Sequence, residues 1–265
     1  MATKDTKTAE ATTTAVATTE AAGLPAVVNF EEDANLGYEG ADSKCYAVPL
    51  IYILQDLSKA VKKKSAEYIE GAEPGMMLNN VTSELFSGEK GFLCVQAFFK
   101  HSFNLWVPRD AGGGFRGELN VSEGEALLKK CVRNDKNQDI VADTDGPYDG
   151  LQLVDTRSHY LVILHEDGRL EPVCLPLTST QVSESKKWMT LSQQLTQGKK
   201  PLFSQIWQIT TGDKTKGDNT WSVVKIKHHC EVNADTLSAY VNAKQFYSMI
   251  ISGMTADANE GDIPF

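Results

Sequence analysis

The strongest constraint on the fold is a change of hydrophobic pattern at Gly91, after which short apolar segments alternate with turn residues. Residues 92–99 are mainly apolar and have the length of a buried strand. Further apolar segments flank the sequence Glu166-Asp167-Gly168, and an Asp-Gly pair between two apolar segments is typical of a tight β-hairpin. The pattern therefore predicts a β-rich core that begins at Gly91.

Helical spacing of apolar residues predicts two long helices in the second half of the chain. They cover residues 180–195 and 235–252, and a glycine follows each of them as a stop signal. Two shorter helical patterns occupy residues 56–68 and residues 122–134. The second of these has Ser122 as its predicted N-cap, with Glu125 three residues later.

A second hairpin is predicted between the two long helices. Its arms are residues 203–211 and 221–229, and the polar residues 212–219 that join them exceed a two-residue turn. We expect these polar residues to project from the domain as a mobile finger.

The predicted elements fit one known architecture. Three strands, a helix and two further strands are compatible with a five-stranded Greek-key barrel of the oligonucleotide-binding type, with the helix between the third and fourth strands. We expect an α+β, mainly β fold of this kind, enlarged by insertions, over residues 24–252. A disordered Thr/Ala-rich arm precedes it over residues 1–23, and a flexible acidic tail follows it over residues 253–265.

The composition is that of a globular protein that stays inside a cell. Hydrophobic residues make up 41% of the 265 residues, which is enough for a core. No apolar run reaches the roughly 20 residues that a membrane helix needs, and the N-terminus lacks the features of a secretory signal. Five cysteines occur singly, without a C-x-x-C pair, which indicates free thiols in a reducing compartment.

Catalytic motifs are missing from the sequence. It contains no phosphate-binding G-x-x-x-x-G-K-[ST], Rossmann fingerprint, H-E-x-x-H or G-x-S-x-G. The acidic residues 139–149 resemble a solvated loop more than a two-metal nuclease site, and His228, His229 and Cys230 are adjacent residues that cannot easily share one metal. We therefore predict no enzyme activity, no cofactor and no metal site.

Positive charge is concentrated in one interval of a chain whose formal net charge is −9. Eight lysines and three acidic residues lie between Thr178 and Cys230, interspersed with aromatic residues. Aromatic faces on which bases stack, beside cations that follow the phosphates, are what a sequence-tolerant grip on single-stranded nucleic acid requires. The candidate contacts in this interval are Lys186, Lys187, Lys199, Lys200, Trp207, Lys214, Lys216, Trp221, Lys225 and Lys227.

Strand alternation and a glycine-rich loop refine this candidate surface. On the second arm of the hairpin, Trp221, Val223, Lys225 and Lys227 share one face and are predicted to line a groove. Trp207 and Trp221 have the alternative of pairing with each other across the hairpin. A second candidate is the loop around three consecutive glycines at residues 112–114, which is predicted to close over a bound strand through Trp106, Arg109, Phe115 and Arg116.

The C-terminus carries the most specific motif. It is short and acidic, and its last residues combine charge, two apolar side chains and a free carboxylate, which a hydrophobic pocket rimmed with Lys/Arg can capture. The residues that form this tip are Glu260, Asp262, Ile263, Pro264 and Phe265.

The tip resembles the end of bacterial single-stranded-DNA-binding proteins, where an acidic stretch ending in these last four residues recruits helicases, primases, nucleases and polymerases. That family usually has a longer acidic run, whereas Gly261 interrupts it here. The segments YIEGAEPG (68–75), WVPR (106–109) and GGGF (112–115) are similar to segments of bacteriophage-encoded DNA-binding proteins.

These resemblances imply a phage protein in the bacterial host cytoplasm that binds single-stranded DNA without sequence specificity. Its tip would recruit replication, recombination and repair enzymes. Two alternatives remain open: a single-strand annealing protein, and a transcription cofactor that acts on host RNA polymerase.

Overall fold

The computed structural model describes residues 33, 36–41 and 45–253. The chain divides into two compact units, Met1–Ala41 and Asp42–Phe265. In the first unit, the described residues form turns, with the Ala41 N–H donating to the Tyr38 carbonyl at 2.9 Å. The predicted N-terminal arm and the C-terminal tip lie outside the described residues. None of the helices described is both long and apolar enough to span a membrane.

The described residues of the second unit form two antiparallel sheets. The small sheet has the strand order β1-β2-β3 and consists of β1 (Ile51–Ile53), β2 (Met77–Asn79) and β3 (Leu85–Phe86). The main sheet has eight strands, which are β4 (Phe92–Trp106), β5 (Phe115–Leu119), β6 (Cys131–Arg133), β7 (Asp139–Val141), β8 (Gln152–Leu164), β9 (Leu170–Thr178), β10 (Gln205–Lys216) and β11 (Asn219–Glu231).

The long strands β4 and β8 form the axis of the main sheet. They pair with each other along their length, with an irregularity between Gln96 and Phe98. At one end the strand order is β11-β10-β4-β8-β9. At the other end, β5 takes the place of β10 beside β4, and β7 takes the place of β9 beside β8. The prediction of an α+β, mainly β chain is confirmed.

Three α-helices complete the part of the fold that the structure describes: α1 (Val121–Leu128), α2 (Val182–Thr196) and α3 (Leu237–Ile251). The sequence-based boundaries of α2 and α3 agree with these to within a few residues. For α1 the cap is Asn120 rather than Ser122, because the Asn120 side chain accepts from the Glu123 N–H while Glu123 accepts from the Asn120 N–H.

Each face of the main sheet has its own apolar core. On one face, β4, β8 and β10 pack with α3 through residues such as Val95, Tyr160 and Phe246. On the other face, all five strands of the order β11-β10-β4-β8-β9 contribute to a core that includes Trp188 of α2. The end of the sheet that carries β5 has a separate core around Phe103 and Leu105, covered by α1.

Three predicted elements differ from the structure. The polar residues 212–219 are strand for most of their length, because Lys216 pairs with Asn219 and leaves only Gly217 and Asp218 to turn. Residues 56–68 form only a single 3-10 turn, Lys59–Val61, instead of a helix. The strand predicted at residues 92–99 continues to Trp106, since polar residues occupy alternate positions beyond Phe99.

Candidate nucleic-acid interface

The outer part of the β10–β11 hairpin carries lysines on one face. Cross-strand register places Thr210 beside Lys225 and Gln208 beside Lys227, and both lysines are exposed. Gly212 makes room for the first lysine, because a Cβ at Gly212 would lie 3.2 Å from the Lys225 Cε. This arrangement leaves the two ammonium groups on an open strand surface.

Trp221 and Val223 continue the same face but differ in accessibility. Trp221 is half-buried beside Lys214, its cross-strand neighbour. Val223 is fully buried, so the predicted groove is interrupted between Trp221 and Lys225. Only the indole and the lysines of the predicted row are accessible.

The structure removes Trp207 from the candidate surface. Its side chain has 0% exposure and packs edge-on against Trp188 and His228, with ring centroids 5.7 Å and 5.4 Å away. A fully buried indole cannot stack on a base. Strand alternation points Trp207 into the core together with Ile209, and the hairpin pair predicted between Trp207 and Trp221 does not form, since Trp207 faces His228.

Glu184 of α2 joins the helix to the hairpin. The ammonium groups of Lys187 and Lys214 both bond the Glu184 Oε1, at 3.0 Å and 3.3 Å. Burial favours a raised pKa for this carboxyl, but the hydrogen bonds and charges of the two lysines outweigh burial and hold the Glu184 pKa below its ordinary value. Two of the predicted phosphate contacts are thus already paired with a carboxylate.

The remaining predicted lysines lie on the surface. Lys200 forms an ion pair with Glu231. Five others are exposed and form no ion pair with any residue that the structure describes, namely Lys186, Lys199, Lys216, Lys225 and Lys227.

The glycine-rich loop has the backbone that its sequence predicts. Gly112, Gly113 and Gly114 have φ values of 105°, 70° and 113°, a region that residues with a Cβ rarely adopt. The loop brings Trp106 and Phe115 into edge contact, with ring centroids 5.2 Å apart. Arg109 and Arg116 are exposed on either side of it.

The two candidate surfaces lie at opposite ends of β4. The hairpin extends beyond Phe92 at the start of this strand, and the glycine-rich loop follows Trp106 at its end. Fifteen residues of strand span roughly 50 Å at 3.3 Å per residue. A bound strand that contacts both surfaces must therefore follow the length of the main sheet.

A buried polar network lies beneath the sheet. The Gln96 Nε2 donates to the His159 Nδ1 at 2.8 Å, so the His159 Nε2 carries the proton that faces the Ser185 Oγ at 2.8 Å. The His159 ring stacks on Trp188 at 4.4 Å. Burial, aided by the charge of Arg157, lowers the pKa of His159 to about 3. Since His159 and Ser185 are both fully buried, this pair presents no accessible nucleophile.

A second histidine links the small sheet to the β8–β9 hairpin. The His165 Nε2 lies 2.9 Å from the Glu171 Oε2, and its Nδ1 lies 3.6 Å from the Glu84 Oε1. These three groups are close enough to hold a cation. The ring already has protein partners on both sides, however, because its Nε2 donates to Glu171 and the Arg169 Nη2 lies 3.5 Å from its Nδ1.

The second half of β4 carries a row of polar side chains that the sequence alone did not single out. Lys100, Ser102 and Asn104 alternate with Phe103 and Leu105, which enter the core. This alternation was the available signal, but it is visible only once the strand is known to continue beyond Phe99.

A search for known proteins identifies a family for the chain. A model of the family described as Pam3 phage gp34-like protein matches residues 16–256. No curated protein and no solved structure matches the chain significantly. The match covers most of the sequence, and this chain therefore belongs to the Pam3 phage gp34-like family of bacteriophage proteins.

Proposed function

We propose that this phage protein binds single-stranded DNA without sequence specificity during replication, recombination or repair, and that its C-terminal tip recruits partner enzymes. The observation that carries the proposal is the strand order β11-β10-β4-β8-β9 with α2 between β9 and β10. In an oligonucleotide-binding barrel the first strand pairs with the second and fourth, and a helix lies between the third and fourth. In this proposal, strands β4, β8, β9, β10 and β11 take the places of strands one to five.

The fifth pairing of such a barrel, between strands three and five, is replaced here by side chains. The Gln55 amide bonds both the N–H and the carbonyl of Ser222, and the Gln181 Oε1 accepts from the Val224 N–H. The edge of β11 is thus occupied by two glutamines. This favours an open variant of the barrel, in which the connection between β4 and β8 and the tip of the β10–β11 hairpin are the binding loops.

Both of these loops carry candidate contacts. Trp106 ends β4, Phe115 and Arg116 lie in the β4–β8 connection, and the hairpin carries Trp221 with Lys225 and Lys227. Half-buried indoles offer stacking faces, and the lysines offer phosphate contacts. Recruitment rests on the resemblance of the tip to that of bacterial single-stranded-DNA-binding proteins.

Fluorescence titration tests the proposal. Trp188 and Trp207 are buried, so we expect oligo(dT) to quench Trp106 and Trp221, and the variant W221F to lose part of the quenching. Affinity should fall with salt, and K225A/K227A should lower the salt slope by about two. The control K63A changes a lysine distant from the hairpin in sequence and should keep the slope. Equal affinity for a duplex, or no binding at low salt, would contradict the proposal.

A further inference from the structure

Two lysines from different elements converge on one carboxylate oxygen. Lys187 belongs to α2 and Lys214 to β10, and their ammonium groups lie 3.0 Å and 3.3 Å from the same Glu184 Oε1. The two nitrogens are therefore close to each other as well. Convergence of cations on a single acidic oxygen is also the arrangement in which lysines bind a phosphate group.

The ammonium groups are accessible, whereas the carboxylate is covered. The Lys187 side chain is 72% exposed and that of Lys214 is 33% exposed, but the Glu184 side chain is only 10% exposed. Among the residues that the structure describes, Glu184 is the only acidic partner of either lysine. Each ammonium group has three N–H donors, so a phosphate can approach both cations from the solvent side.

The cluster holds more positive charge than the carboxylate needs. One lysine neutralises Glu184, so the second leaves an excess positive charge between α2 and the hairpin. Two like charges at short distance repel each other, and ion pairs with an exposed partner add little stability. Lys186 and Lys216 are exposed next to the two clustered lysines in sequence, and they extend the positive surface along α2 and β10.

An aromatic side chain beside the cluster indicates which anion is suited to it. Trp221 is the direct cross-strand neighbour of Lys214 and is half-buried. A base that stacks on this indole brings its phosphate toward the ammonium groups. A free phosphate ion makes no use of the indole, so cations beside an aromatic ring favour a polynucleotide.

We infer that Lys187 and Lys214 form a phosphate subsite for single-stranded DNA, and that the Glu184 carboxylate closes this subsite until a phosphate displaces it. The inference rests on the proposed function and adds an internal competitor to it. The displaced carboxylate attracts a cation from solution, which offsets part of the counterion release from the DNA. Glu184 therefore weakens DNA binding and makes it less dependent on salt.

The experiment measures the anisotropy of dye-labelled oligo(dT) with wild-type protein and E184Q across a salt series. At low salt E184Q should bind about fivefold more tightly, because two ion pairs no longer have to open, and its affinity should fall more steeply with salt. E184A, which also lacks the carboxylate, should behave in the same way. With both lysines removed, E184Q/K187A/K214A should bind no more tightly than K187A/K214A.

A matched control tests whether the effect is one of net charge alone. Asp143 pairs with Lys130 at 2.7 Å and follows β7, which pairs with β8 at Leu153, near the end of β4 that is remote from the hairpin. D143N removes the same single negative charge and should bind oligo(dT) as the wild-type protein does. An equal gain in D143N and E184Q would reduce the effect to net charge and overturn the subsite.

The outcomes separate the subsite from the proposed function. Unchanged affinity in E184Q and E184A, or a gain that survives removal of both lysines, would overturn the subsite while oligo(dT) binding by the wild-type protein keeps the proposed function. Weaker binding by a folded E184Q would make Glu184 a residue that positions the lysines, and would overturn the competition. Failure of both the wild-type protein and E184Q to bind oligo(dT) overturns the proposed function itself.

Discussion

His159 is the clearest case of a residue whose ionisation is set by the fold. Its ring is fully buried between Trp188 and the sheet, and both nitrogens are used in hydrogen bonds. Burial lowers the pKa of His159 from its ordinary value of 6.5 to about 3. The neutral ring is therefore the form that the folded protein stabilises.

The pKa of His159 predicts loss of stability in mild acid. Because the unfolded chain takes up the proton first, the stabilisation is present above pH 6.5 and is lost as the pH falls toward 3. The free energy of unfolding should fall by about 2 kcal/mol between pH 6.5 and about pH 5 from this residue. Urea unfolding across this pH range measures the free energy of unfolding. In H159Q this free energy should depend less steeply on pH than in the wild-type protein.

A matched control separates His159 from the other histidines. His229 is exposed on β11, so H229Q should retain the wild-type slope. If the unfolding free energy of H159Q changed with pH as steeply as that of the wild-type protein, the acid sensitivity could not be assigned to His159.

At the scale of elements, the free edge of β11 depends on a side chain that follows β1 of the small sheet. Gln55 follows β1 and bonds the backbone of Ser222 twice, at 2.9 Å and 3.0 Å. An unpaired strand edge exposes donors and acceptors that attract other chains. The Gln55 side chain thus makes the backbone hydrogen bonds that a neighbouring strand usually makes.

Removing the Gln55 amide should destabilise the hairpin. In Q55A the Ser222 N–H and carbonyl lose both partners, and we expect a loss of about 1–3 kcal/mol in the free energy of unfolding. Urea denaturation provides the measurement. The control is Q208A. The Gln208 amide donates to the Lys90 carbonyl at an exposed position, so its removal should cost less free energy of unfolding. Equal effects of both substitutions would argue against a special role for Gln55.

The elements themselves were largely predictable, and their extents were not. The helical patterns placed α2 and α3 correctly, and the Asp167-Gly168 pair placed the turn between β8 and β9. The polar residues 212–219 were predicted as a finger because their composition is that of a loop. Pairing with the opposite strand, which continues to Lys216 and Asn219, determines their structure instead.

For the whole molecule, charge is unevenly distributed. The net charge is −9, while α2, the hairpin and the connection between them carry five exposed lysines that form no ion pair with any residue the structure describes. The tail over residues 257–265 contains three acidic residues and lies next to the chain terminus. Opposite charges on one chain attract each other more strongly as the salt concentration falls.

Deletion of residues 257–265 should have two effects of different origin. Oligo(dT) affinity should rise several-fold at low salt and approach the wild-type value at high salt, because the deletion removes a competitor for the lysines. Binding of host replication proteins should be lost, because the tip is removed. Titration across a salt series and pull-down with purified partners measure the two effects. Unchanged affinity at low salt would exclude competition by the tail.

The amino-acid sequence by itself determined the β-rich class, the positions of the long helices, the glycine-rich loop and the concentration of lysines. These features depend on local periodicity and on backbone preferences that a short segment carries within itself. The exposure of a side chain does not depend on local periodicity, because it is set by which distant element covers that face of the strand or helix. Only the tertiary structure buried Trp207 and joined Lys187 and Lys214 through Glu184.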